Sequence, residues 1–371
     1  MKLKNRIYDL LPKKLDWYIL KKFIFTYLIA LLLIIVIVII FDISEKIEDF
    51  VSREAPLKAI VFDYYVNFIP FFINMFSPIF TFLTVIFFTS RLAANSEIIA
   101  VLSCGISFNR LLRPYMIGSA IIMIFSLALN LWVIPHVNVT RMAFEEKYVR
   151  DYERKETLHN LHYQIAPGEF VYVESFSRWN NTAYKFTLEK IENNRIVSKI
   201  SADQAVWNST LCGWHLKRYF IRDYDAGLED RVRCGQQMDT IIPLTISDLR
   251  IKRQYWLQLD HKQLNEHIRT KQMRGDANIK KPLIEKHTRY AMPFSAFILS
   301  IIGVSLSSRK RRGGIGWNIA LGIALSFSYI LFQKFSEMFV FTDTLPVVVA
   351  VWLPNVIYAV IAYILYRLAP K

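Results

Sequence analysis

Residues 23–41 read FIFTYLIALLLIIVIVIIF, a run without a single charge. A helix rises about 1.5 Å per residue, so this run covers about 30 Å, the thickness of a bilayer's hydrocarbon layer. Its flanks differ in sign. Before it stand Lys2, Lys4, Arg6, Lys13, Lys14, Lys21 and Lys22 against Asp9 and Asp16; after it, Asp42 to Asp63 holds six acids against Lys46, Arg53 and Lys58. Positive charge is retained on the cytoplasmic side, so the N-terminus is expected inside and Asp42 outside. No cleavage pattern of a signal peptide precedes the run, which is therefore expected to remain as a first membrane span.

The rest of the chain repeats this pattern. Of 371 residues, 53% are hydrophobic and 15% aromatic, and they gather into blocks rather than spreading evenly. Further spans are expected within Tyr64–Ser90, where Pro70 and Pro78 predict kinks, and at Pro114–Pro135, Tyr290–Ser308, Gly313–Gln333 and Thr344–Tyr366. Arg309-Lys310-Arg311-Arg312 between the fourth and fifth is the strongest basic cluster of any short loop and is expected inside, as are Arg367 and Lys371. The net charge of +15 is thereby attributed mostly to membrane boundaries, and no nucleic-acid partner is expected.

Residues 136–289 interrupt the spans with 26 Lys/Arg and 20 Asp/Glu. A charged helical stretch, Arg141 to Glu156, opens this insert; alternating runs follow at Phe170–Val173, Ala183–Ile191, Arg195–Ile200, Gln204–Trp207, Trp214–Tyr224 and Met238–Ile242. Short strands at this spacing, with Asn193-Asn194 as a tight turn, predict an all-β sandwich or jelly-roll-like domain. After Pro243 a helix is expected, capped by Asp260 and ended by Gly275. The fold class is thus a polytopic α-helical membrane protein of six spans, with an all-β domain between the third and fourth. The expected domains are 1–135, 136–289 and 290–371, the middle one external.

Between spans two and three lies a polar island, RLAANSEIIAVLSCGISFNRLLR, Arg91 to Arg113. Ile98, Ile99, Val101 and Leu102 predict a short amphipathic helix, and Gly105 supplies a left-handed end. Such a helix is too small for a domain and is patterned to present one face to a cytoplasmic partner.

No chemistry of catalysis accompanies this architecture. The sequence has no Walker A loop, HExxH, CxxC or GxSxG pattern, so no catalytic residue, cofactor or metal is expected. His159 and His162 lack a third ligand nearby and read as surface histidines. Any vectorial work must draw on a partner's energy. Cys212 and Cys234 would face each other across a hairpin centred near Asp223, where an oxidising compartment permits a bond; two free thiols fit equally well. Lys334 and Glu337 are spaced to pair, or to serve a function as ionisable groups in a span. Lys46, Arg53 and Lys58 are positioned to attract an anionic head group or to be solvated boundary charges.

The ordered pieces resemble a known family. Asp16-Trp17-Tyr18 before span one, Arg91-Leu92-Ala93 with Ser96-Glu97 and Ser103-Cys104-Gly105 after span two, Gln258 to Gly275 leading to Pro293, and Gln333 in span five are similar to those of the lipopolysaccharide export permeases LptF/LptG. The resemblance covers nearly the whole chain. It implies a permease subunit that works with a cytoplasmic ABC ATPase dimer, a second LptF/LptG-type permease and periplasmic jellyroll bridge proteins, moving lipopolysaccharide out of the inner membrane's outer leaflet. It implies that Glu97, framed by Arg91, Ser96 and Gly105, engages the ATPase, and that Lys46, Gln333 and Lys334 are candidate lipid contacts. The region after span one carries only Lys46 among acids, a departure from the basic residues of LptG-type members. A rival class, a membrane-anchored assembly factor whose β domain binds envelope proteins, requires no ATPase and no particular sequence in the polar island.

Overall fold

The computed structural model describes residues 14–149, 157–177, 179–208, 213–224, 230–244, 249, 254–273, 279–308 and 314–369. Six described helices are long and apolar enough to cross a membrane: α1 (Lys14–Ser52), α2 (Leu57–Ala94), α4 (Phe108–Tyr148), α6 (Lys280–Ser307), α7 (Gly314–Phe341) and α8 (Val347–Leu368). The short α3 (Glu97–Ser103) joins α2 to α4. All six expected spans are present. The Arg309–Arg312 cluster lies outside the described residues. At 39 residues, α1 is about 58 Å long and exceeds the hydrocarbon thickness almost twofold. The chain forms two compact units: residues 1–48, 56–141 and 283–371, and residues 49–55 and 142–282.

In the first unit α2 is central. Val85, Phe88, Leu92 and Ala93 join Phe23 and Tyr27 of α1, Leu111 and Tyr115 of α4 and Val304 of α6 in one buried cluster. Phe82 and Ile86, on the adjoining side of α2, meet Leu299 and Ile302 of α6, Tyr329 of α7, and Tyr358 and Ala362 of α8. Lipid tails are as apolar as these side chains, so close fit and polar bonds hold such a bundle. Gly303 brings α6 against α2: a Cβ there would lie 2.8 Å from Cγ1 of Val85. Asn74 donates to Asn130 at 2.8 Å and accepts from Ser126 at 2.6 Å, tying α2 to α4. Asn355 donates to the Ala291 carbonyl at 2.8 Å and accepts from Tyr329 at 2.9 Å, joining α8, α6 and α7.

Pro70 and Pro78 both sit inside α2, yet the departure from α geometry falls before them, in a π turn at Ile60–Tyr65. A second π turn, Leu129–Val133, interrupts α4 and carries Asn130. Such turns add a residue to the helical round and re-aim its neighbours.

The second unit contains one antiparallel sheet of six strands, each paired with the next: β1 (Thr157–Ala166), β2 (Glu169–Ser177), β3 (Thr182–Glu192), β4 (Arg195–Asn208), β5 (Gly213–Asp223) and β6 (Arg231–Thr240). Asn193 and Asn194 both have positive φ, 50° and 63°, as a two-residue hairpin between right-twisting strands requires. One face of the sheet buries Val171, Val173, Phe176, Phe186, Ala202, Ala205, Trp214 and Leu216, together with Leu244 and Leu249.

A crease crosses all six strands. Along one line the ladders leave out Asn160, Glu174, Lys185, Asp203, Arg218 and Gln236, which stand opposite one another with the register unchanged, and on alternate strands this residue has positive φ: Asn160 53°, Lys185 48°, Arg218 51°. Across this line the inward-outward alternation restarts, so Val173 and Phe176 both join the buried face although three positions apart. Salt bridges Lys185–Glu174 (2.7 Å) and Arg218–Asp203 (3.0 Å) run along the crease. It corrects the strand list: Arg195–Ile200 and Gln204–Trp207 are two parts of β4 on either side of Asp203, and β1 is a strand that the period-2 reading lacked.

The hairpin expected around Asp223 is also corrected. Asp223 pairs with Arg231 and Trp214 with Thr240, so Cys234 faces Phe220 rather than Cys212. Cys234 is an exposed free thiol; Cys212 lies outside the described residues. After the sheet, a 3-10 turn (Tyr255–Gln258) leads into α5 (His261–Met273). There the Gln263 side chain accepts from the Asp260 amide at 3.2 Å, half of a capping box. Gly275 lies outside the described residues.

Candidate functional site

The polar island folds as the short amphipathic helix its pattern predicts. At the end of α2, Leu92 and Ala93 are buried, and Asn95-Ser96 turns the chain with Ser96 in the left-handed region (φ 60°). Only seven residues of helix follow, too few to persist alone in water. What holds α3 is Ile98, 1% exposed, which seats among Ile19 and Phe23 of α1, Leu92 of α2 and Phe108 and Leu111 of α4. Val101 and Leu102 pack at the edge of the same cluster, while Ile99, the fourth apolar residue of the pattern, faces out. Gly105 then ends the helix with φ +80° and open space where a Cβ would be. Its requirement for glycine is one of backbone conformation alone. Ser107 caps α4, its Oγ accepting from the Arg110 amide.

The outer face of this loop carries Arg91, Ile99, Ala100 and Ser103, all exposed, with Glu97 half-buried beside them. One Oε of Glu97 accepts from the Asn95 side chain at 3.2 Å, which fixes the carboxylate at the first turn of α3, where the helix dipole favours negative charge. Ser96 offers no side-chain cap. Arg91, Ser96, Glu97 and Gly105 are thus brought within one turn-helix-turn element, rigid on one side and open on the other.

Sequence reasoning missed the tie beneath it. Asp16, 3% exposed, forms an ion pair with Arg110, fastening the start of α1 to the start of α4. Asn109 accepts a hydrogen bond from Tyr366, so the end of α8 is fastened there as well. The available signal was Asp16 standing alone among Lys13, Lys14, Lys21 and Lys22; an acid kept in so basic a flank invites a partner.

The candidate lipid contacts are on two helices. On α1, Lys46 is not a free cation: its ammonium bonds Asp42 at 2.5 Å and the Tyr64 hydroxyl, lies 4.8 Å from the Tyr64 ring centre, and its side chain is 19% exposed. Tyr64 and Tyr65, both from the π turn of α2, also donate to Asp42, at 3.2 and 3.1 Å. From there rings follow one another along α2 at every fourth residue: Phe68 stacked on Phe72 at 3.9 Å, Phe72 tilted to Phe76 at 5.9 Å, Phe76 edge-on to Phe80 at 6.4 Å. This stripe was legible as an i, i+4 repeat and was not singled out. On α7, Gln333 is half-buried. Lys334 beside it is 69% exposed and pairs at 2.8 Å with Glu337, itself 14% exposed.

Among the described residues no group of three His, Cys, Asp or Glu is arranged to hold a metal. No curated protein matches the chain. A family model does: that of the lipopolysaccharide export system permease LptF/LptG, over residues 17–368. That match starts one residue after the buried Asp16 and ends on the last residue of α8, and so takes in the anchored loop, the six spans and the β insert as one unit: the chain belongs to the LptF/LptG family of lipopolysaccharide export permeases, non-catalytic multi-pass components of the inner membrane.

Proposed function

We propose that this chain is one of two permeases in an ABC exporter that draws lipopolysaccharide from the outer leaflet and hands it to a periplasmic jellyroll bridge. A cytoplasmic ATPase dimer hydrolyses the nucleotide and grips the turn-helix-turn at Arg91–Gly105. The carrying observation is the seating of Ile98: a helix held on one side by α1, α2 and α4 can pass a push on its open side into three spans at once. Glu97 is the charged contact, Arg91 and Ser96 border it, and Gly105 sets the exit direction of the chain. Both termini lie in the cytoplasm and the β domain in the periplasm, a reading supported by the lysines before α1 and the acids after it.

Lipid contact is assigned to Gln333 and Lys334 on α7 ahead of Lys46, because both lysines are paired, with Glu337 and Asp42, but the Lys334 side chain is 69% exposed and that of Lys46 only 19%. Co-purification in mild detergent tests the coupling: charge reversal Glu97→Lys is expected to release the ATPase while leaving the second permease bound. ATPase recovery equal to that of the unmodified chain would overturn the assignment.

A further inference from the structure

The side of the sheet opposite its buried core carries a cavity of about 560 Å³ that none of the assignments above uses. The strand register builds it. His162, Tyr172 and Thr187 stand side by side on β1, β2 and β3 as one cross-strand row. The next row on that face is Gln164, Phe170, Glu189 and Lys199, on β1 to β4. Both rows line the cavity, with Tyr163 and Val171 between them in the strands, and its size is within the range of about 300–1,000 Å³ usual for small-molecule sites.

Its lining has three properties that together define a ligand class. Two aromatic faces are available: Phe170 is exposed on a strand, and the Tyr172 ring is held against the His162 ring at 4.6 Å and by its hydroxyl, which donates to Asn160 on the crease at 3.1 Å. Planar and hydroxyl hydrogen-bonding groups surround them in Gln164, Thr187 and Glu189. The charge is balanced, since Lys199 donates to Glu189 at 2.7 Å, so an anion gains no net attraction and an acyl chain would leave these polar groups unpaired. A sugar ring satisfies all three properties, laying its C–H face on an aromatic ring and its hydroxyls against paired donors and acceptors. The geometry points to a saccharide-binding site on the outer face of the β domain, filled by uncharged sugar rings. That these rings belong to the exported glycolipid rests on the proposed function; the chemistry of the cavity does not.

The test uses the full chain in lipid nanodiscs and lipid-free core oligosaccharide released from lipopolysaccharide by mild acid, read by saturation-transfer NMR on the ring protons of its uncharged sugars. Transfer is expected, weakened about three- to tenfold by Tyr172→Ala, as the loss of one aromatic contact would give. The double substitution Glu189→Gln with Lys199→Gln keeps the strand residues and is expected to weaken it also; Lys185→Gln, at the crease, leaves it unchanged. Near-ultraviolet circular dichroism, to which Trp207 and Trp214 contribute among the chain's eight tryptophans, verifies that each variant keeps its packing. Absence of transfer, or transfer unchanged in both Tyr172→Ala and the double variant, overturns the site. Because the probe has no lipid, its binding stands or falls apart from extraction: a chain that binds it while failing to recruit an ATPase would refute the transport reading and leave the site intact.

Discussion

Ile98→Ala separates the two roles assigned to the coupling loop, anchorage and contact. The side chain is 1% exposed and belongs to a buried cluster with residues of α1, α2 and α4, and truncating such a residue costs about 2–5 kcal/mol. Since α3 has seven residues and no intrinsic persistence, that loss falls on the local equilibrium between docked and undocked loop. At about 1.4 kcal/mol per factor of ten, the low end corresponds to about a 30-fold rise in the undocked population. Three amides report it: Ala100, Cys104 and Gly105, bonded to the carbonyls of Ser96, Ala100 and Leu102 at 3.0–3.1 Å. Hydrogen exchange followed by mass spectrometry in nanodiscs should show their protection falling at least about tenfold, while amides in the middle of α2 keep theirs. Glu97→Lys, which leaves Ile98 in place, should change the same protection by no more than about fivefold, the worth of one charge at a helix N-terminus, yet both variants should lose ATPase-coupled transport. Unchanged protection of Ala100 and Cys104 in Ile98→Ala would refute the claim that this side chain holds the loop.

Other outcomes follow from particular contacts. Gly105→Ala meets no atom and only the left-handed backbone opposes it, so it should destabilise the loop by about 1 kcal/mol, read as a small protection loss at Cys104. Gly303→Val forces branched atoms into Val85 and should lower the thermal midpoint of the detergent-solubilised chain, with about 1–3 kcal/mol of overpacking. Asp223 hydrogen-bonds Ser198 and pairs with Arg233, which hold its carboxyl below the ordinary carboxylate range. Its contribution to the β unit is therefore present above that range and is lost as the pH falls through the depressed value; Asp223→Asn should flatten the acid side of a tryptophan-fluorescence stability profile.

The spans and the short helix between the second and third were readable from residues 23–41 and 91–113 because both obey one-dimensional rules. A charge-free run of bilayer length has few alternatives in an aqueous or a lipid environment, and Ile98, Val101 and Leu102 repeat at the helical period whatever they touch. The strands were readable only until the crease. The crease interrupts the period of two in every strand, and its positions at Glu174 and Asp203 are defined by their neighbours across the ladder, not by their own identity. For the same reason Cys234 could not be paired from its own strand: a hairpin's centre depends on where the facing strand begins.

The sequence by itself determined that this chain spans a membrane six times, carries an all-β insert, and places a short anchored helix between spans two and three, since hydrophobic period and length are local quantities. Tertiary structure decided which charges are available. Lys46 and Asp16 read in the sequence as boundary charges, and the fold removes both from that role by bringing Tyr64 to Lys46 and Arg110 to Asp16 from other helices. Partners supplied from far along the chain set the charge and exposure of a group, and no window of sequence contains both members of such a pair.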